Sequence, residues 1–432
     1  MIHFLGIKGA GVSALAIIMK NLGYDVQGSN SKGFSFTERD LKANNIQILE
    51  EKAENIQENM TIIRSVAVKD DHVEIVKAKE LGLTIYSYPE YVGLFTKDFK
   101  LISITGCHGK TTTTALLAHL LKNTIGCNYL IGDGSGEANS KSEYFVLEAC
   151  EYHRHFLNYY PYYTVITNIE LDHVDYFKDI DDVVDAYQSL VNQTKNKVIA
   201  CGDDDNVRKI KSDNIIYYGF NSNNDIEARN IIYSTNGTKF DVYINNNFYA
   251  NFQLPYFGEH LILNALAVIT IGYLENLEIN DIINELKTFP GAKRRFSEEI
   301  IEDTIIIDDY AHHPTEIKVT IKAAKQKYPN KKIIAIYQPH TYSRTSKFTK
   351  EYADVLNLAD EVYLLPIHPA REKQEEYPGI SSEVIIKELG KGHLIECSDG
   401  NALTTHKGDV LLFMGANDLA EIIDGTKKMI IN

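Results

Sequence analysis

The stretch Ser103–Leu121, SITGCHGKTTTTALLAHLL, restricts the fold more than any other part of the chain. An apolar strand at Leu101–Ile104 runs into a tight turn that carries Gly106 and Gly109. Lys110 and a run of threonines follow, then an apolar helical stretch at Ala115–Leu121. Strand, glycine turn and helix in this order build a phosphate cradle. Glycines let backbone N–H groups approach an anion, the helix N-terminus favours negative charge, and Lys110 adds a point charge. Thr111, directly after the lysine, is placed to offer its hydroxyl to Mg2+. The spacing is G-x-x-G-K-T, shorter than the usual P-loop, with Ile104 where that loop's first glycine would stand. Gly106, Cys107, His108, Gly109, Lys110, Thr111 and Thr112 are therefore the candidate contacts to a nucleoside triphosphate.

The chain has 432 residues, long enough for about three domains, each with its own core. A formal charge of −15 without any Lys/Arg run speaks against nucleic-acid binding. The cysteines Cys107, Cys127, Cys150, Cys201 and Cys397 are scattered and odd in number, and no pair has zinc-ligand spacing. Reduced thiols in a cytoplasmic protein fit that pattern. Met1 leads straight into the strand IHFLGI, so no signal peptide is expected, and no window reaches the ~20 apolar residues of a membrane span.

The pattern reads as α/β throughout. Ile2–Leu5 is a buried strand, Gly6, Gly9 and Gly11 form a turn, Val12–Leu22 is a helix, and Tyr24–Gln27 is the next strand. The spacing G-x-x-G-x-G places Lys8 where a dinucleotide fingerprint has its middle glycine. Ser29-Asn30 stands where that fingerprint has an acid, which disfavours a nicotinamide cofactor. A pyrophosphate at this helix N-terminus, with Lys8 helping to neutralise it, fits the residues better. A strand over Thr61–Val68, a helix over Val73–Leu81, a strand over Thr84–Tyr86 and a helix over Pro89–Thr96 follow. Lys97–Lys100 is a polar break.

YFVLEA (Tyr144–Ala149) and YTVITNI (Tyr163–Ile169) are continuous apolar strands of the kind buried in parallel sheets. Ligands sit beyond the carboxyl ends of such strands. That rule groups the Gly106–Thr112 loop with Glu148 and with Asn168 and His173. A threonine hydroxyl, a carboxylate and an imidazole meeting there make a magnesium site, for which Glu151, Asp172 and Asp175 are neighbouring alternatives. NGTKFDVYINNNFYANFQL reads as a hairpin turning at Asn245–Asn247, and Gly258–Tyr273 as a buried helix. Beyond KRRF (Lys293–Phe296), strands at Thr304–Ile307, Ile333–Tyr337, Glu361–Leu365 and Asp409–Met414 end in DDYAHHPTE, QPHTYSR, PIHPARE and GAND.

GIKGAG, TGCHGKTTTTALLAHLL, EACEYHRHF, TNIELDHVDYF, GEHLILNALAV, KRRF, DDYAHHPTE, QPHTYSRT and LFMGAND together resemble the Mur ligases, in family order and across nearly the whole chain. The resemblance implies three α/β domains. A Rossmann-like domain at 1–97 would bind a UDP-sugar, a central P-loop-type domain at 98–293 would bind ATP, and a Rossmann-like domain at 294–432 would receive an amino acid. It implies ATP and Mg2+ as cofactors, with UDP-N-acetylmuramate and L-alanine as substrates. The reaction it implies is phosphorylation of the carboxylate followed by displacement of the phosphate by the amine. A related reading, ligation of a murein tripeptide to the same UDP-sugar, stays open. So do a nucleotide-binding scaffold without turnover and a nucleotide-sugar oxidoreductase.

Carried over by motif, Lys110, Glu148 and His173 are catalytic, and Thr111, Glu148 and His173 hold the metal. Asn264, Arg295 and Asp309 join the loop as ATP contacts. Gly9, Gly11, Ser65, His312, His313, His340 and Arg344 contact substrates. No nucleic-acid or membrane partner is implied, and the expected state is a monomer or weak homodimer. The chain departs from the family pattern at Cys107, usually threonine, and at Lys8, Asn30, Leu261 and Thr341. SVAVKDDHVE is a loose version of a family stretch.

Overall fold

The computed structural model describes every residue except Phe34, Phe36, Ser140, Arg371 and Asn432. Three sheets organise it. The chain divides into two compact units, Met1–Glu227 with Asn264–Phe289, and Ala228–Leu263 with Pro290–Asn432.

The first unit opens with β1 (Ile2–Leu5), α1 (Ala10–Asn21), β2 (Val26–Ser29), α2 (Glu38–Ala43), β3 (Gln47–Leu49), β4 (Thr61–Arg64), α3 (Val73–Glu80), β5 (Thr84–Ser87) and α4 (Tyr88–Thr96). The five strands form a parallel sheet in the order β3-β2-β1-β4-β5. The second strand starts later than the sequence pattern predicts because α1 closes around Gly23, whose φ is +88°. The Tyr24 amide still donates back to Met19 O, so Tyr24 belongs to the helix terminus. The fourth strand stops at Arg64, since Ser65 opens a turn in which Val68 N donates to Ser65 O. The elements α2 and β3 are too short to carry a periodic signal in the sequence.

The second sheet of this unit contains β6 (Lys100–Thr105), β7 (Cys127–Leu130), β8 (Gly136–Glu137), β9 (Tyr144–Glu148), β10 (Tyr163–Ile166), β11 (Lys197–Cys201) and β12 (Ile215–Gly219). Its order is β12-β11-β10-β6-β9-β7-β8, parallel except for β8, and α5 (Lys110–Asn123) and α6 (Ile180–Gln193) cover it. β13 (Ile226–Ser234) begins beside β12. One core runs from Ile2 and Leu15 through Phe145 and Leu147 to Tyr187 and Leu190. Helix α5 starts at Lys110, earlier than its apolar stretch. Its first-turn threonines bury cheaply, as Thr114 Oγ1 does by donating to Lys110 O at 2.8 Å.

In the second unit, β14 (Gly237–Ile244) and β15 (Asn247–Leu254) form the expected hairpin, with Asn245 and Asn246 at positive φ in its turn. The helix α7 (Glu259–Leu274) begins in this unit and ends in the first, where α8 (Ile279–Thr288) follows it. The third sheet has the order β16-β17-β21-β18-β19-β20. Its strands are β16 (Ser297–Ile301), β17 (Thr304–Asp309), β18 (Ile333–Tyr337), β19 (Glu361–Leu364), β20 (His393–Leu394) and β21 (Val410–Met414), with only β16 antiparallel. Among its helices are α9 (Pro314–Lys327) and α10 (Tyr342–Lys347).

Candidate active site

The β6–α5 turn is a built cradle. Gly106 has φ +134°, and a Cβ there would lie 2.0 Å from Thr167 Oγ1. Gly109 has φ +81°, and a Cβ there would lie 2.8 Å from Asn264 Oδ1. Neither position accepts a side chain. The end of β10 braces the loop instead of continuing as strand, which is why that strand is shorter than its apolar run. His108 N donates to Asn168 Oδ1 at 2.9 Å, Asn168 Nδ2 and Thr167 Oγ1 donate to His108 O, and Cys107 N donates to Asn168 O. The Cys107 thiol lies against the backbone of Glu170. Burial, then the charge of Glu151, pushes its pKa well up, so it is a packed thiol rather than a nucleophile.

Two acids meet the start of α5. Thr111 Oγ1 donates to Glu148 Oε1 at 3.0 Å, and Gly132 N donates to Glu148 Oε2 at 2.7 Å. Lys110 Nζ stands 3.1 Å from Glu151 Oε2 and also donates to Gly106 O and Cys107 O. His173 Nε2 lies 3.6 Å from Glu151 Oε1. The histidine is thus paired with Glu151, one of the expected alternatives, whereas Glu148 is paired with Thr111. Asp172 accepts from the His173 amide, and Asp175 accepts from the Tyr152 hydroxyl at 2.6 Å, so those alternatives serve the turn. Burial opposes both charges of the Lys110–Glu151 pair. Each partner overrides it, and the lysine pKa is raised while the carboxylate pKa is lowered.

The residues fit a triphosphate and a divalent cation. The glycine cradle excludes Cβ atoms, a hydroxyl and two carboxylates supply the hard oxygen ligands such a cation takes, and a buried Asn264 Nδ2 has no hydrogen-bond partner among the described residues. Thr112, on the same helix turn, is half-buried.

At the β1–α1 turn, Gly6 has φ +73° and a Cβ there would meet Ser65 at 2.8 Å. Gly9 caps α1, and Gly11 faces the phenol of Tyr88. Lys8, beside Gly9 in the lining of one cavity, has partners of its own. Its ammonium pairs with Glu38 at 3.2 Å and donates to Gly33 O at 2.7 Å. Its carbonyl accepts from Ser35 and Thr37, and its amide donates to Asn30 Oδ1 at 3.2 Å. Lys8 and Asn30 together tie down the loop after β2.

The remaining candidates lie in the second unit. His340 Nδ1 is 3.3 Å from Arg344 Nη1, and its ring stands 5.8 Å from that of His312 and stacks on His368 at 5.6 Å. His312 Nδ1 is 3.2 Å from Glu316. His313 is a helix cap, its Nδ1 accepting from Thr315 N, with Glu316 completing the capping box. Arg295 lies 3.7 Å from Glu316 and over Tyr310. Both Asp309 oxygens accept backbone amides, from Phe296 and Ala311, and burial raises its pKa to about 6. His260 is pushed down to about 4 by burial and then by Arg295. His368 was not singled out in the sequence. Its only signal is the PIHPARE strand end.

A glycine-lysine loop at a strand end, flanked by paired acids and a histidine, defines an α/β enzyme that handles nucleotide phosphates. Family models place it further. The Mur ligase family catalytic domain matches residues 1–100, the Mur ligase middle domain residues 104–272, and the Mur ligase glutamate ligase domain residues 294–417. The chain belongs to the Mur ligase family, ATP-dependent amide ligases of peptidoglycan and cell-wall synthesis. The crystal structure of UDP-N-acetylmuramate-alanine ligase MurC from Thermotoga maritima is 28% identical, with a TM-score of 0.84 over 100% of this chain and 98% of that one. A murein peptide ligase from Psychrobacter arcticus is 23% identical with a TM-score of 0.72, covering 100% and 98%, and shares the fold. So does MurF from Thermotoga maritima in complex with ADP, 18% identical with a TM-score of 0.65, covering 96% and 97%. Among the described residues no helix is long and apolar enough to cross a membrane.

Proposed function

We propose that this chain joins L-alanine to the lactyl carboxylate of UDP-N-acetylmuramate, converting ATP to ADP and phosphate. The convergence of Lys110, Thr111, Glu148, Glu151 and His173 on the glycine turn carries the reading. The whole-length likeness to MurC supports the choice of substrate. Residues 1–97 hold the UDP-sugar through Gly9, Gly11 and Ser65. Residues 98–293 hold ATP through Gly106–Thr112 and Asn264. Residues 294–432 contribute Arg295 and Asp309 to the nucleotide, and His312, His313, His340 and Arg344 to the amino acid. The protein works in the cytoplasm as a monomer or weak homodimer.

A carboxylate is a poor acyl donor until its oxygen is turned into a leaving group. The loop amides and Lys110 hold the β- and γ-phosphates in line with the lactyl carboxylate. Thr111, Glu148 and the Glu151–His173 pair are the residues that would hold Mg2+, which when bound neutralises charge on the phosphoryl oxygens. A carboxylate oxygen bonds to the γ-phosphorus as the bond to the β-phosphate oxygen breaks and ADP leaves. The alanine amine adds to the acyl carbon and loses a proton. The tetrahedral centre collapses with loss of inorganic phosphate. Arg344, with its planar fork, suits the alanine carboxylate.

An ADP-release assay with UDP-N-acetylmuramate tests the reading. L-Alanine is expected to drive release, and a murein tripeptide is expected not to. Release with the tripeptide alone would move the chain to the murein-peptide activity, and release with neither would overturn the proposal.

A further inference from the structure

Helix α4 touches α1 at one end and packs against β9 and the segment after Glu151 along its length. It leaves β5 through a capping box in which Ser87 N and Oγ both donate to Glu90, at 2.7 and 2.6 Å. Its middle rests on the segment after Glu151, where a Cβ at Gly93 would come within 2.2 Å of Asn158 O. Phe95 meets Phe145 of β9, the strand that ends in Glu148, edge-on at 5.8 Å. These contacts fix the helix against the acidic strand end.

Tyr88 is the first residue of this helix. Its hydroxyl reaches α1, where a Cβ built on Gly11 would stand 2.6 Å from Oη. Gly11 has no need of a positive φ, so the approach of the phenol is what demands glycine there. Burial, and after it the charge of Glu148, raises the Tyr88 pKa, so the group stays protonated. Among the described residues no hydrogen-bond partner accepts its proton. A neutral, part-exposed phenol without a protein acceptor therefore stands at the α1 turn.

We propose that Tyr88 is a substrate-binding residue whose hydroxyl donates to the pyrophosphate of the UDP-sugar at the Gly9–Gly11 turn. The contact rests on the UDP-sugar reading above and adds to it a residue from β5–α4, outside the glycine turn. It gives the sugar nucleotide a donor that no glycine-turn amide duplicates, on the side that leads to the phosphorylation site.

Calorimetric titration of the full-length protein with UDP, with UDP-N-acetylmuramate and with a non-hydrolysable ATP analogue tests the assignment. Tyr88→Phe keeps the ring and removes only the donor. It is expected to weaken both uridine ligands by about tenfold, the worth of one hydrogen bond to a charged group, and to leave the ATP analogue unchanged. Gly11→Ala, which displaces the phenol, is expected to weaken the same two ligands. Unchanged affinity for both in Tyr88→Phe overturns the proposal, and so does a loss seen with UDP-N-acetylmuramate but not with UDP. Failure of the unmutated protein to bind either uridine ligand would instead overturn the functional reading itself.

Discussion

Lys110 and Glu151 face each other across 3.1 Å beside the phosphate loop, the lysine side chain 15% exposed and the glutamate side chain 1%. Neither charge would be tolerated there alone. Removing one partner of a buried pair leaves the other uncompensated and costs about 3–5 kcal/mol. Glu151→Ala is therefore expected to lower unfolding stability by roughly that amount, read from urea denaturation. A midpoint unchanged from the parent protein would mean that the pair is screened by water and does not hold the lysine.

The Thr111 hydroxyl and Glu148 are hydrogen-bonded at 3.0 Å, so one proton donor now occupies an oxygen that a cation would take. Thr111→Ala removes the proposed ligand, and Thr111→Ser keeps it. The alanine variant is expected to need at least about tenfold more Mg2+ for half-maximal ADP release, with serine close to the parent. Equal magnesium dependence in all three proteins would remove Thr111 from the cation site.

His260 and Asp309 give the second unit opposing pH dependences. Burial lowers His260 from 6.5 to about 4, so the unfolded chain takes up this proton first as pH falls. That contribution to stability is present above pH 6.5 and declines toward pH 4, by up to about 3 kcal/mol. Burial raises Asp309 from 3.8 to about 6, so the folded chain takes up that proton first and gains stability across a similar window. His260→Gln leaves the aspartate effect alone. Relative to the parent, this variant is expected to gain stability on going from neutral pH to about pH 4.5, measured by urea denaturation at both values. A constant difference between the two proteins would show that His260 is solvated.

Much of this architecture is legible in the sequence because apolar runs and glycine turns carry it. Ile333–Tyr337 and the hairpin at Asn245–Asn246 stand where periodicity and turn residues place them. Strand ends were less legible. Ser65, Thr167 and Asn168 continue their apolar or β-branched runs in sequence, yet their side chains and backbone turn aside to build the site. The pairing of acids was beyond sequence reasoning, since Glu148 ends β9 and Glu151 stands only three residues beyond it. Only the backbone path after Cys150 sends one to Thr111 and the other to Lys110 and His173. The partners of Lys8 were not legible either, since Glu38 and the Gly33 carbonyl lie 25 or more residues along the chain. Tyr88 had a usable signal, a polar aromatic at a strand's carboxyl end, the same rule that singled out Glu148.

The account depends above all on the Gly106–Thr111 turn being the triphosphate site. Binding of a non-hydrolysable ATP analogue with Mg2+, measured by calorimetry for the parent protein and Lys110→Met, tests this most directly. Losing the charged donor to the phosphates is expected to weaken binding by roughly ten- to a hundredfold. Equal affinity in the two proteins would place the triphosphate elsewhere and contradict the account.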